Sequence, residues 1–394
     1  MSRVLLVCPE PLGHGQPAGI GIRFVEIANV LRADGHDVTT LSPDAGLTPE
    51  NLFLCSERAD VAFVQGHVAN DLFAHAKPIP TVVDLYDPFI VENLHYFAER
   101  GAEVFTHDHA TLINSLLRAD FFLCASEAQR LFYLGLLLAV GRLNPIAFES
   151  DPHFDALLRI APFGVQPPRD VVPRNTSDVL FGGIYDWYDP ILAIDAVAIA
   201  REQMPEMTLT FTRHPNPAIT PQGKTAEAIE YARRNGYDFV RFEPWVAYDR
   251  RGAFFERFAL ALLTFPQSIE TDLSMRTRVY DYLWGGLPIV TSSAPGTDEL
   301  LARYHAGHVG QASACPSDYA DAILAVLRDR DAYADGASRF VREHQWSDTL
   351  APLREFCLSP RIDGNKDAFA MRPYVPEQPP SILARIRRRM KALT

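Results

Sequence analysis

The chain has 394 residues, 47% of them hydrophobic and 22% charged, with a formal net charge of −12. This size and balance point to a globular protein with two cores and exclude a disordered chain. The acidic excess leaves phosphate-backbone binding to a local basic patch, which only the C-terminal end has, so no nucleic-acid partner is expected.

The opening "MSRVLLVCPE" has an apolar run too short for a signal peptide and reads as a first buried strand. "GIGIRFVEIANVLRADG" reads as a helix, with Phe24, Ile27, Val30 and Leu31 at helical spacing and Gly35 as its cap. "HDVTTLSP", "ADVAFVQG", "PTVVDLYD" and "ADFFLCAS" follow as strands. This is the βαβ rhythm of a doubly wound parallel sheet. The longest apolar run, 131–141 between Arg130 and Arg142, is too short to span a bilayer.

Segment 160–175, "IAPFGVQPPRDVVPRN", is rich in Pro and Gly and reads as a hinge. A second α/β series follows. Its strands are "SDVLFGG", "MTLTFTR", "YDFVRFE", "LALLTF" and "LPIVTSS", and its helices include "DPILAIDAVAIAREQM" and "SDYADAILAVLRDRDAYADGASRFVREH". The expected division is a first Rossmann-like domain over 1–165, a second over 166–355, and a return segment, proline-rich linker and tail over 356–394. In 381–394, Ile382, Ile386, Met390 and Leu393 form one helical face, flanked by Arg385, Arg387, Arg388, Arg389 and Lys391. Such a helix suits an anionic membrane surface, and a solvated end or a helix packed on the body fits the same spacing. Cys8, Cys55, Cys124, Cys315 and Cys357 are odd in number and lack zinc spacing, as expected of free thiols in a reducing cytoplasm. The expected location is cytoplasmic, with the tail offering peripheral attachment at the inner face of the cell membrane.

Facing α/β domains place ligands at the carboxyl ends of their strands. After the first strand, "PEPLGHGQPAGIGIR" offers Gly13, Gly15, Gly19 and Gly21 for close backbone approach, with a helix N-terminus behind them. It is not the dinucleotide fingerprint, since Phe24 stands three after Gly21. His67, Asp84 and Asp87 end later strands, where they suit hydroxyl recognition or proton transfer; Asp87 before Pro88 also suits a turn. His107 and His109 lack a third ligand nearby, so no metal is expected.

In the second half, Gly182 and Gly183 leave room for a ligand, and Asp189 with Pro190 opens a helix beyond Trp187 and Tyr188. Arg213 and His214 follow the next strand. Trp245, after the third, fits either a wall for a flat base or plain packing. Glu270, Asp272, Arg276, Arg278 and Asp281 lie within twelve residues, before and within a helix ending at Gly285 and Gly286. Guanidinium groups suit a diphosphate and a carboxylate suits a ribose diol.

The stretch "RVYDYLWGGLPIVTS" resembles the signature of retaining glycosyltransferases of family 4, which have the two-domain GT-B fold. "GIGIRFVEIANVLRADGHDV", "APFGV" and "LFGGIYDWYDPILAIDA" fit the same template in the same order, over most of residues 1–355. The resemblance implies a nucleotide-sugar donor held mainly by the second domain and an acceptor held mainly by the first. It places Asp281, seven before Pro288, at the donor ribose. It puts Gly19 and Gly21 near the diphosphate, Trp245 and Val246 at the base, and Glu270 near the donor sugar. Three departures stand out. Asp281 replaces the usual Glu. The position of the first acidic residue, eight before Asp281, is Leu273, leaving Glu270 and Asp272 as candidates. The family's Arg and Lys after the first second-domain strand are absent from "GGIYDWYDP", which passes their phosphate role to Arg276, Arg278 or Arg213.

The expected activity is metal-independent, retaining transfer of a hexosyl group to a saccharide or lipid-linked acceptor in cell-surface polysaccharide assembly. The donor is the only small molecule required, with no separate cofactor. Arg276, Arg278 and Asp84 are the expected catalytic residues. Gly19, Gly21, Gly183, Arg213, Trp245, Val246, Glu270 and Asp281 are the expected donor contacts. A sugar-nucleotide epimerase and a non-catalytic nucleotide-sugar-binding subunit are the alternatives.

Overall fold

A computed structural model describes residues 1–13, 19–170, 175–213, 222–310 and 315–369, for 98–100 the backbone only. Gly15, His214 and the basic tail at 381–394 lie outside the described residues.

Among the described residues, twelve strands form two all-parallel sheets. The first contains β1 (Arg3–Val7), β2 (Asp37–Leu41), β3 (Val61–Gln65), β4 (Thr81–Asp84), β5 (Phe121–Cys124) and β6 (Leu158–Ile160). Their spatial order is β2-β1-β3-β4-β5-β6. The second contains β7 (Val179–Gly183), β8 (Leu209–Thr212), β9 (Val240–Glu243), β10 (Leu260–Leu263), β11 (Ile289–Ser292) and β12 (Gly307–Gly310). Their order is β12-β11-β10-β7-β8-β9. β3, β4, β5 and β10 are buried at every position, because helices cover both faces of the parallel sheets. That double burial is why they appear in the sequence as largely apolar runs, with Gln65, Thr81 and Asp84 at the ends of β3 and β4.

In each sheet the chain winds outward on one side and then resumes on the other. The reversals fall between β1 and β3 and between β7 and β10. Ligand crevices open at such reversals, beyond the carboxyl ends of the strands.

The expected helix at the start runs over Gly19–Ala33 and buries Phe24, Ile27 and Leu31. The long apolar run becomes Glu127–Ala139, capped by Ser126 through its hydroxyl. After the second sheet the chain returns to the first domain. Trp346 packs edge-on against Phe163 at 4.5 Å, and Phe356 stacks on Phe121 at 4.8 Å. Arg354 forks onto Asp34, and Arg142, fully buried, holds Asp363 at 2.8 Å. Residues 346–363 therefore strap the second domain's end to the first.

Among the described residues no helix is long and apolar enough to cross a membrane. Among them, too, no group of three or more His, Cys, Asp or Glu side chains is placed to hold a metal ion.

Candidate active site in the interdomain cleft

The site is built where two helix N-termini meet. The helix Gly19–Ala33 begins beside the carboxyl end of β1, and the helix Thr277–Trp284 begins after the β10 loop. A Cβ at Gly19 would lie 4.0 Å from the Thr277 hydroxyl, so the two ends approach across the cleft. No side chain caps the start of Thr277–Trp284, so its first-turn N–H groups have no side-chain partner there. Helix N-termini carry partial positive charge, so this meeting point favours an anion.

A cavity of about 110 Å³ opens there. Gly182 and Gly183 from β7, Thr212 from β8, Trp245 and Val246 after β9, and Arg278, Asp281 and Tyr282 form its second-domain wall. Ile22 closes it from the first domain. The structure thus gathers Gly183, Trp245, Val246 and Asp281 from the expected donor contacts, and Arg278 from the expected catalytic residues, around one space. Small-molecule sites usually enclose roughly 300–1,000 Å³, so a nucleotide sugar needs side chains or domains to move apart.

Arg278 reaches across the cavity. Its Nη1 donates to the Gly183 carbonyl, and its guanidinium lies over Tyr185 at 5.0 Å and Tyr188 at 4.7 Å. Gly182 adopts a φ of +85°, and a Cβ there would sit 2.3 Å from the Tyr282 hydroxyl, so only glycine fits. That hydroxyl donates to the Phe181 carbonyl at 2.8 Å, fixing the helix to β7.

Asp281 faces Arg251, whose Nε stands 3.2 Å from its carboxylate. Burial pushes the Asp281 carboxyl above its ordinary range, and Arg251 and Arg278 offset part of that. Arg251 is itself clamped over the Tyr248 ring at 3.5 Å and near the Trp284 ring at 4.7 Å. Both Arg251 and Tyr248 line the cavity, although nothing in the sequence singles them out within "FEPWVAYDRR".

Three expected site residues are used otherwise. Asp84 has a fully buried side chain and receives Arg23 through Nε at 2.6 Å and Nη2 at 3.3 Å. The same guanidinium donates to the carbonyls of Ala161 and Pro162, so this ion pair ties β4 to the hinge. Glu270 and Arg276 hold each other bidentately at 2.5 and 2.7 Å, with both side chains nearly sealed. Arg276 also lies 4.9 Å from the Phe265 ring. A polar pair survives such burial only when each charge has its partner, and in this structure Arg276, Asp84 and Glu270 are held in such pairs and do not line the cavity. Arg213 is exposed beyond β8 and does not line the cavity, whereas its neighbour Thr212 does.

Gly21 has a partner of its own. Its N–H donates to the Glu10 carboxylate at 2.7 Å, so an acidic side chain caps the first turn. Burial raises the Glu10 carboxyl, and the Gly21 N–H works against that rise. Nearby, burial pushes Asp87 well up, helped by Glu92 and Glu10. Burial also raises Glu92. His67 stands at the rim of a separate polar group. Its Nε2 is 3.1 Å from buried Asp108, and its ring stacks on His107 at 4.9 Å.

Two Rossmann-like domains, each with a parallel sheet, facing across a cleft define this protein as a GT-B fold. Several solved structures share it. HepE of Anabaena, solved in complex with UDP-glucose, superposes with a TM-score of 0.63 at 15% identity, over 91% of this chain and 99% of that one. Sucrose-phosphate synthase from Thermosynechococcus elongatus gives 0.62 at 12% identity, over 91% and 98%. TarM gives 0.53 at 13% identity; the match covers 76% of this chain and 55% of TarM. No family model matches the sequence, and no curated protein matches it either.

Proposed function

We propose that this protein is a glycosyltransferase that moves a sugar from a nucleoside-diphosphate-sugar donor to a saccharide or lipid-linked acceptor. The observation that carries the reading is the helix Thr277–Trp284. Its uncapped N-terminus meets Gly19 across the cleft, while Arg278 and Asp281 on it line one cavity with Gly183, Trp245 and Val246. An anion-favouring helix end, a guanidinium, a carboxylate and a flat aromatic wall match a diphosphate, a ribose and a base in sequence. Uridine donors are the first to test, because HepE was solved with UDP-glucose and the pneumococcal transferase GtfA with UDP and GlcNAc.

In this reading, transfer retains the anomeric configuration. The bond from the anomeric carbon to the diphosphate breaks, and the acceptor oxygen bonds to that carbon on the same face. The acceptor proton passes to the departing phosphate oxygen. Arg278 and the first-turn amides hold the charge that develops on the diphosphate, an electrostatic contribution greatest in the transition state. Glu270 and Arg276 act from beneath by fixing the segment that presents Arg278. The cell-surface polysaccharide role belongs to the same proposal and rests on the sequence resemblance.

The test is a screen of nucleoside diphosphates by thermal shift, followed by incubation of the matching sugar donor with saccharide acceptors. Binding should raise apparent stability. Appearance of an α-linked product from an α-linked donor supports the reading. Conversion of donor alone to an epimer, or binding without transfer across the acceptor panel, would replace it.

A further inference from the structure

Three successive residues, Leu273, Ser274 and Met275, each give one polar group to the first domain. The Leu273 carbonyl accepts from Gln129 Nε2 at 2.9 Å. The Ser274 hydroxyl donates to Glu92 Oε1 at 3.1 Å. The Met275 carbonyl accepts from the Tyr86 hydroxyl at 3.2 Å. Immediately after these residues come Arg276, which grips Glu270, and Arg278, which lines the cavity.

Gln129 is the centre of the arrangement. It is fully buried. Its Oε1 accepts from the Ala125 N–H at 2.7 Å, and its Nε2 donates to the Tyr86 carbonyl at 2.9 Å as well as to Leu273. Both amide hydrogens and the amide oxygen are therefore used, one hydrogen within its own domain and one across the cleft. Leu273 closes the short helix Ile269–Leu273, so its carbonyl has no partner inside that helix. Gln129 supplies one only while the domains are together.

From this we infer that Gln129, with Tyr86 and Glu92, forms a clasp that couples domain closure to the placement of Arg278, making Gln129 a positioning residue for the donor site. The inference rests on the proposed reading of that site. Separation of the domains frees residues 273–275 from the first domain and leaves the Glu270–Arg276 pair alone to hold the segment that presents Arg278. Closure restores those contacts.

The experiment uses the full chain and three variants. Tyr86→Phe and Ser274→Ala each delete one cross-domain hydrogen bond and leave the cavity lining intact; Gln129→Leu deletes the centre. Small-angle scattering of the ligand-free proteins reads closure without any donor. The expected result is a larger radius of gyration for each variant, with cooperative thermal unfolding preserved in Tyr86→Phe and Ser274→Ala. Titration with UDP then reads the site: each single-bond variant should bind about fivefold more weakly, the size of one ordinary hydrogen bond. Turnover should fall in the same variants, with little change in acceptor KM. Scattering identical to the parent in all three variants overturns the clasp. If no nucleoside diphosphate binds the parent, the donor reading fails while the scattering still decides the clasp.

Discussion

Arg276 grips Glu270 through both terminal nitrogens inside a pocket that nearly excludes water from either side chain. The pair spans six residues of chain and fixes the turn between two short helices, Ile269–Leu273 and Thr277–Trp284. Removing one member leaves a buried charge without its partner. Arg276→Ala should therefore cost about 3–5 kcal/mol, measured by urea unfolding. The double variant Glu270→Leu with Arg276→Met should regain most of that. If the single variant unfolds like the parent, the pair has no structural role.

Arg278 is the guanidinium that faces the cavity, held on the Gly183 carbonyl and over two tyrosine rings. Arg278→Ala should lower turnover by roughly 10²–10³-fold, as loss of a preorganised transition-state donor does. Arg278→Lys should recover only part, because an ammonium cannot reproduce the planar fork. Steady-state kinetics with the identified donor check both. A turnover within about twofold of the parent would remove Arg278 from the mechanism, since even one lost donor of this kind exceeds that.

Asp281 accepts hydrogen bonds as a carboxylate, and burial raises its pKa above the ordinary carboxyl range. If it reads the ribose diol, donor affinity should weaken as pH falls toward that raised value. Asp281→Asn should flatten the dependence and narrow the preference for a ribonucleotide over its 2′-deoxy form. Calorimetric titration with UDP and deoxy-UDP across pH 5–8 would show it. An unchanged preference would move the ribose contact elsewhere.

Asp87 and Glu92 share a half-buried corner of the first domain, and desolvation there raises both carboxyls. Glu10 and Asp84 add negative charge to Asp87, while Arg276 opposes the rise of Glu92. A carboxyl with a raised folded-state pKa binds more protons folded than unfolded. Its stabilising contribution is full below the ordinary carboxyl range and is lost as pH rises through the raised value. The thermal midpoint should accordingly decline from mildly acidic toward alkaline pH. Asp87→Asn should lessen that decline and melt higher than the parent at pH 8. Parallel melting curves for the two proteins would show that the pair does not titrate in the folded state.

Much of the fold could be read from the residues, because a strand buried on both faces must be an apolar run. Ten of the strands answer to runs such as "RVLLV" and "LALL". β6 and β12 did not show in this way. β6 has three residues and sits at the start of the hinge segment, and β12 is "GHVG", whose glycine and histidine give no apolar run. Within the site, Gly183, Arg278 and Asp281 stood out by residue type and spacing. Arg251 and Gln129 did not, since their partners Asp281 and Leu273 lie far along the chain.

The sequence by itself determined two doubly wound domains, a glycine-led helix in the first and an Arg- and Asp-bearing helix in the second. Those features depend on local periodicity and on residues whose backbone freedom or charge is intrinsic. Only the tertiary structure decided which arginine meets the cleft. Arg276 and Arg278 are two residues apart, so they point to different sides of their segment. Which side is sealed depends on Phe265 and Glu270, brought there by packing, and that packing buries one guanidinium in an ion pair and turns the other toward the cavity.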